Sequence, residues 1–246
     1  MTTLIVAPTA REARAIGASV VACGAGERAG ESAARLLDEV RPAAVVLLGV
    51  CGGLDPSLVP GDLVLARRVL ASEGRELVPA VSLVESVRPA LRRRGFSFVT
   101  APLLTVERPL AGRRQKAEVW NATGAAGVDM ESYWVAAAAC ERGVPWIALR
   151  AVLDASGASL PPAIRNWTGE GDERRALASA AARPWEWPAY LRLALAWRSA
   201  LRSLREAMPV VATAVEEWLR SAPAAVSDAL ASKMSPNRLR TPRARP

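Results

Sequence analysis

Residues 127–156, GVDMESYWVAAAACERGVPWIALRAVLDAS, place two carboxylates, Glu131 and Asp154, on elements that can deliver both to one pocket. Glu131 opens an Ala-rich helical run that ends at Gly143, a residue suited to the left-handed position after a helix. Val144-Pro145 then breaks the helix. Trp146–Val152 reads as a buried strand, apolar except for Arg150. Asp154 therefore falls at the carboxyl end of a strand, the edge at which open α/β sheets bind ligands. Either acid alone has a bland explanation: a first-turn acid favoured by the helix dipole for Glu131, a turn cap for Asp154. The combination is the informative part.

Working outward, strands alternate with helices. Residues 3–7 (TLIVA), 19–23 (SVVAC), 43–49 (AAVVLLG), 61–66 (GDLVLA) and 98–105 read as strands, and 10–16, 31–40 and 115–123 as helices. This is the α/β pattern. After Asp154 the character changes: 159–162 and 168–172 are turn-rich, and helix dominates from Arg183. In 189–208, Leu193, Trp197, Ala200, Leu201, Leu204 and Met208 form an apolar stripe, with Arg198, Arg202 and Arg205 on another face and Leu191 and Leu195 on the basic side. The expected organisation is an α/β core over 1–160, a helical extension over 161–221 that packs on the core or on a membrane surface, and a disordered basic tail over 222–246.

Composition removes whole classes of chemistry. The 246 residues contain no histidine, which excludes Ser-His-Asp and Cys-His catalysts, a histidine metal site and a histidine proton shuttle. Acid–base work falls to carboxylates, Lys, Tyr or backbone dipoles. Three cysteines (Cys23, Cys51, Cys140) have neither metal-like spacing nor an even count for a disulfide framework. No metal and no cofactor are expected. No apolar run reaches the roughly 18 residues that cross a bilayer, and the N-terminus lacks a signal-peptide pattern, so a cytoplasmic location is expected. The net charge of +8 fits nucleic acid, an anionic membrane surface, or merely Arg-rich codon usage. The basic tail has no interleaved aromatics and no nucleic-acid motif, so nucleic acid is not expected as a partner.

The remaining signals cluster at strand ends. Glu12 and Arg11 follow the first strand, Gly24-Ala25-Gly26 the second, and Cys51-Gly52-Gly53 the third. Glycine turns bring backbone N–H groups close to water or an anion and let a ligand approach the main chain. Leu4–Ala13 with Glu12, the 24–26 turn, LGVCGGLDPSLVPGDLVLA (48–66), VDMES (128–132) and RAVLD (150–154) together resemble the nucleoside phosphorylase and nucleosidase superfamily. The resemblance implies a three-layer α/β/α fold with a central mixed sheet and cleavage of an N-ribosidic bond. Such a reaction develops oxocarbenium character on the sugar and negative charge on the departing base. It assigns Asp154 as the acid at the base, which requires a carboxyl kept protonated by an apolar pocket. Glu131, ionised, would hold the ribose diol, and Glu12 would orient the nucleophile. Met130, Val128, Cys51 and Gly52 would line the nucleoside, with Gly24, Gly26 and Arg11 at the water or phosphate.

A narrower resemblance runs through GGLDPSLVPGDLVLA, KAEVWNATGAAGVDMES and RPWEWPAYLRLALAWRSALRSLR, which look like the hopanoid-associated phosphorylases. It implies adenosylhopane as substrate, a lipid-linked adenine nucleoside met at the inner face of the membrane. Inorganic phosphate or water would be the acceptor, and the enzyme a homo-oligomer. The alternatives are a soluble methylthioadenosine/adenosylhomocysteine or futalosine nucleosidase, and a non-catalytic purine-binding module. Two departures stand out. Leu153 occupies a position where the superfamily often has Ser, removing a hydrogen bond that could hold Asp154. No residue aligns as the ring that stacks on the base, although Trp120, Tyr133 and Trp134 lie nearby in sequence.

Overall fold

The computed structural model describes residues 2–161 and 183–221. Strand β1 (Thr3–Ala7) sends Leu4 and Val6 into one apolar cluster and Ile5 and Ala7 into another. Strand β3 (Ala44–Gly53) repeats the division, with Val45 and Leu47 on one face and Ala44, Val46 and Leu48 on the other. Burial on both faces explains why these strands read as unbroken apolar runs, and it demands helices on both sides. Helices α1 (Ala10–Ile16), α3 (Val81–Arg93) and α6 (Trp187–Ser221) cover one face. Helices α2 (Arg28–Val40) and α5 (Ser132–Glu141) cover the other. The expected three-layer arrangement is the one observed.

The sheet is mixed, as expected, and it also closes on itself. Strand β2 (Val20–Ala22) pairs parallel with β1, and β1 with β3. Strand β8 (Trp146–Asp154) lies parallel to β3 and antiparallel to β4 (Leu63–Ala71). Strand β4 carries the short β5 (Glu76–Leu77) on one side and the parallel β6 (Phe98–Thr105) on the other. Strand β6 pairs with β7 (Gly127–Asp129), which returns antiparallel to the end of β3. The ring β3–β8–β4–β6–β7 is thus continuous.

Elements built from strong local patterns fall where the sequence puts them: β1 and β6 match residue for residue. Strand β3 runs past Gly49 through Cys51-Gly52-Gly53 because β7 and β8 supply its hydrogen-bonding partners there. Strand β7, three residues long, is likewise made by pairing rather than propensity. Helix α4 (Arg113–Thr123) ends on Gly124 at φ 63, and α5 is followed by Gly143 at φ 64, the left-handed exits expected of glycine.

Helix α6 continues past the 189–208 stripe, through Pro209, to Ser221. An interior proline costs about 3 kcal/mol. Val211, Val215, Trp218 and Leu219 are buried beyond it, and each large apolar side chain returns roughly 1.5–3 kcal/mol. The longer helix wins. From Ala200 onward it supplies one wall of the same core cluster as α1 and α3, so the core takes this part of the helix. Leu191 and Leu195, in its first turns, remain exposed. The turn-rich 168–172 stretch and the basic tail 222–246 lie outside the described residues.

This packing makes a stability prediction. Leu204→Ala should cost about 2–5 kcal/mol in denaturant unfolding, as a buried Leu truncation does. Leu191→Ala on the same helix should stay within about 0.5 kcal/mol of the parent.

Candidate active site

The carboxyl end of β8 is re-aimed by an irregularity. Cys51 pairs with Val152 but Gly52 pairs with Asp154, leaving Leu153 as the extra residue of a bulge. Gly52 is needed beside it: a Cβ there would stand 3.3 Å from Asp154 Oδ1 and 3.2 Å from Val128 Cγ1. Gly52, Val128 and Asp154 therefore share one corner, as the sequence reading expects. Cys51 does not join them through its side chain. It is buried in the core on the α2–α5 face, and a Cβ on Gly127 would lie 2.8 Å from its Sγ. Burial pushes its thiol above the ordinary range.

Asp154 is buried and forms an ion pair with Lys116 of α4, a residue that sequence reasoning passed over. Lys116 Nζ also donates to the Ala155 carbonyl at 3.0 Å. Burial pushes the Asp154 carboxyl up, and the Lys116 ammonium pulls against it. The hydroxyl that Leu153 cannot offer is thus answered by a cation. The expectation of a carboxyl kept protonated by an apolar pocket needs correcting to that extent, because its closest neighbour is a charge.

Glu131 caps α5 positionally, without a side-chain bond to its own helix. Its Oε1 instead accepts from Gly26 N–H at 3.3 Å and its Oε2 from Met130 N–H at 3.3 Å. Gly26 was expected to serve a water or anion; in the structure its N–H points to Glu131. The approach follows from helix packing. Gly30 of α2 lets the Trp134 backbone and Cβ come within 3.2 Å of where its own Cβ would be, and Arg142 forks onto Asp38 at 2.7 and 2.9 Å. The pairs 26/131, 30/134 and 38/142 keep a nearly constant offset, so α2 and α5 run parallel with both N-termini at the site. Gly24 and Gly26 hold φ of 92 and 63, which a side chain would strain.

Beneath Glu131 lies a buried network that the sequence signalled only by a charged residue in an apolar strand. Arg150 Nε is 2.8 Å from Asp129 Oδ2, and Nε and a terminal nitrogen both donate to Ser132 Oγ at 3.0 and 2.9 Å. Thr105 Oγ1 donates to Asp129 Oδ1 at 2.8 Å. Arg150 sits against Gly49, where any Cβ would collide with its guanidinium at 2.0 Å.

Glu12 is buried and spans from α1 to the end of β3. Its Oε1 accepts from Val50 N–H at 3.0 Å; its Oε2 accepts from the Thr9 amide and hydroxyl at 3.1 and 2.8 Å, closing a capping box. The helix-cap explanation holds for it, and the same carboxylate reaches the end of β3. Burial raises its pKa, against the pull of Val50 N–H, Thr9 and Arg150. Arg11, expected at a phosphate, lies exposed with its guanidinium 5.4 Å from the Trp197 ring of α6. The cation that Glu12 and Glu131 both feel is Arg150. Met130 is half-buried beside Glu131. Tyr133 and Trp134 meet edge to face at 5.4 Å under Arg75, and Trp120 packs against the core, so these rings are engaged there.

Three carboxylates thus lie at the ends of three elements around one sheet edge, Glu12 and Glu131 over a buried guanidinium and Asp154 against Lys116. Residues 12–182 match the phosphorylase superfamily. The chain belongs to that superfamily. Among related proteins is 5′-methylthioadenosine/S-adenosylhomocysteine nucleosidase of Mycobacterium bovis, 27% identical over 190 residues, which are 61% of this chain and 74% of that protein. The corresponding enzyme of Campylobacter jejuni has the same fold, with a TM-score of 0.67 at 14% identity over 88% of this chain and 99% of the other. Futalosine hydrolase of Helicobacter pylori superposes with a TM-score of 0.57 at 16% identity, over 63% and 88% respectively.

Burial first, then the adjacent Asp129 charge, pushes the Glu131 carboxyl up to about 8. Below pH 4.5, its ordinary value, it is protonated in folded and unfolded chains alike. Between 4.5 and 8 the unfolded chain ionises first, so this group's contribution to stability falls as pH rises, levelling above 8. Glu131→Gln should therefore melt with the parent at pH 4 and above it at pH 8.5. A gain of about 1 kcal/mol, roughly 2–4 °C for a chain of this length, would register in thermal scans.

Proposed function

We propose that this protein cleaves the N-ribosidic bond of an adenine nucleoside and releases adenine. The observation that carries the reading is the convergence of Glu12, Glu131 and Asp154 at one sheet edge in a member of the phosphorylase superfamily. The relatives named for methylthioadenosine and adenosylhomocysteine support an adenine base. In this reading Glu131 accepts hydrogen bonds from the ribose hydroxyls, held in place by Gly26 and Met130 N–H. Asp154 faces the base and passes a proton to the purine as the bond to C1′ lengthens. Glu12 orients water or phosphate on the opposite side, and Arg150, the cation acting on both glutamates, favours their ionised forms.

The test is release of free base from adenosine, methylthioadenosine, futalosine and adenosylhopane, each with and without phosphate. Asp154→Asn should lower the rate about 10²–10⁴-fold, the usual contribution of a general acid, and Glu131→Gln should lower it through lost sugar binding. Tight nucleoside binding with no release from any substrate would make the chain a purine-binding module instead. Dependence on phosphate distinguishes phosphorolysis from hydrolysis.

The substrate we favour is lipid-linked, adenosylhopane, met at a membrane surface. What supports it is the start of α6, where Trp187, Leu191 and Leu195 recur every four residues and are exposed, with Trp185 just before them. Arg198, Arg202 and Arg205 continue the same side of the helix, an apolar tip followed by a basic collar. Among the described residues no helix is long and apolar enough to cross a membrane. The second reading, a nucleosidase for methylthioadenosine or adenosylhomocysteine, is favoured by the names of the related proteins. Flotation with anionic liposomes separates the two. The parent should float, and Trp187→Glu with Leu191→Glu should abolish flotation while leaving release from methylthioadenosine unchanged.

A further inference from the structure

Helix α4 buries a single residue, and that residue is Lys116. A helix that needed only an anchor would bury Leu or Val there. Taking an ammonium out of water costs several kcal/mol, and lysine is almost never fully buried unless paired. Its partners are the Asp154 carboxylate and the Ala155 carbonyl, both at the end of β8. Composition makes the choice of residue more telling. Of 32 basic residues, 30 are Arg, leaving only Lys116 and Lys233 as lysines. Where this chain needs positive charge it uses Arg, including the buried Arg150. Beside Asp154 alone in the described fold it uses the cation that can give up its proton; a guanidinium cannot.

The argument rests on the reading of Asp154 as the group facing the base. We propose that Lys116 is a positioning residue that stores the proton for base departure, delivering it through Asp154 to the leaving adenine. The step balances. The C1′–N9 electron pair goes to the purine, the Lys116 ammonium passes its proton to the Asp154 carboxylate, and Asp154 hands that proton on to N7, leaving a carboxylate beside a neutral amine. In hydrolysis, the water that bonds to C1′ gives its proton to Glu12. Solvent then reprotonates Lys116 and takes the proton from Glu12, so nucleoside and water become ribose and adenine. Other ionisable groups around the pair are the Cys51 thiol of β3, with Asp129 of β7 and Arg150 of β8 acting on that same thiol. Burial favours a neutral Asp154 carboxyl, and the ammonium opposes this, so proton exchange between the two is a shift within one pair.

The experiment compares an adenine nucleoside with its N7-methylated counterpart, whose base is already cationic and departs without a proton. Lys116→Arg keeps the charge but has no proton to lend. It should lower kcat on the adenine nucleoside about 10²–10⁴-fold and leave the N7-methyl substrate within about threefold of the parent. Lys116→Met leaves Asp154 to carry its own proton, so the basic limb of kcat/KM should move to lower pH by at least one unit. Equal losses on both substrates, or parental rates and an unshifted profile in Lys116→Arg, would reduce Lys116 to a structural counter-ion and overturn the proposal. A parent inert toward both nucleosides would overturn the reading of the site itself, and the proposal with it.

Discussion

A guanidinium inside a closed sheet cannot be left unanswered, and much of this structure follows from the answer to Arg150. An unpaired buried charge costs several kcal/mol, so Asp129 and Ser132 must sit where its nitrogens are. That requirement ties β8 to β7 and to the first turn of α5, and Thr105 extends it to β6. It also explains why position 49 of β3 is glycine, since the guanidinium occupies the space a side chain would take. Once these elements are locked together, Glu131 has almost no freedom, because it lies between Asp129–Met130 and Ser132 in the chain. The Glu131 carboxylate is placed by its neighbours' electrostatics more than by its own contacts.

The three acids of the site are handled in three ways. Glu12 has its oxygens filled by backbone and hydroxyl donors from Thr9 and Val50. Glu131 has two long amide contacts and a like charge nearby, and burial together with that charge pushes its carboxyl up. Asp154 has the buried Lys116 ammonium in contact. Burial pushes all three carboxyls up, and what opposes that push differs from one to the next: amide and hydroxyl donors with Arg150 for Glu12, Arg150 and the Gly26 amide for Glu131, Lys116 for Asp154.

Much of this was legible in the sequence, for identifiable reasons. Strands buried on both faces are long apolar runs, so β1, β3, β6 and β8 announce themselves, and glycine after α5 marks its exit. Asp154 stood out as the end of such a run, and Glu131 as the opening of the Ala-rich helix α5. What escaped depends on partners distant in the chain. Strand β7 exists because β3 and β6 flank it, and the bulge at Leu153 is a matter of register between two strands. Lys116 lies in RRQKAEVW, which reads as a solvated helix start, and only the rarity of lysine among thirty arginines hinted otherwise. Arg11 misled in the opposite sense: adjacency to Glu12 in sequence suggested an anion partner, whereas one step along a helix turns a side chain by about 100°.

Helix α6 is one unbroken element of 35 residues, about 52 Å long, and its parts serve different neighbours. Its later turns are wedged into the core, while Trp197, nearer the start, lies under the guanidinium adjoining Glu12 in the chain. A rod clamped along one part and touched at the other behaves as a lever. Whatever loads its exposed tip, by contact or by thermal buffeting, transmits a bending moment toward α1 rather than dissipating it in a loop. Mechanical stiffness, set by the apolar stripe from Ala200 to Leu219, thereby becomes a property of the side of the sheet on which Glu12 lies.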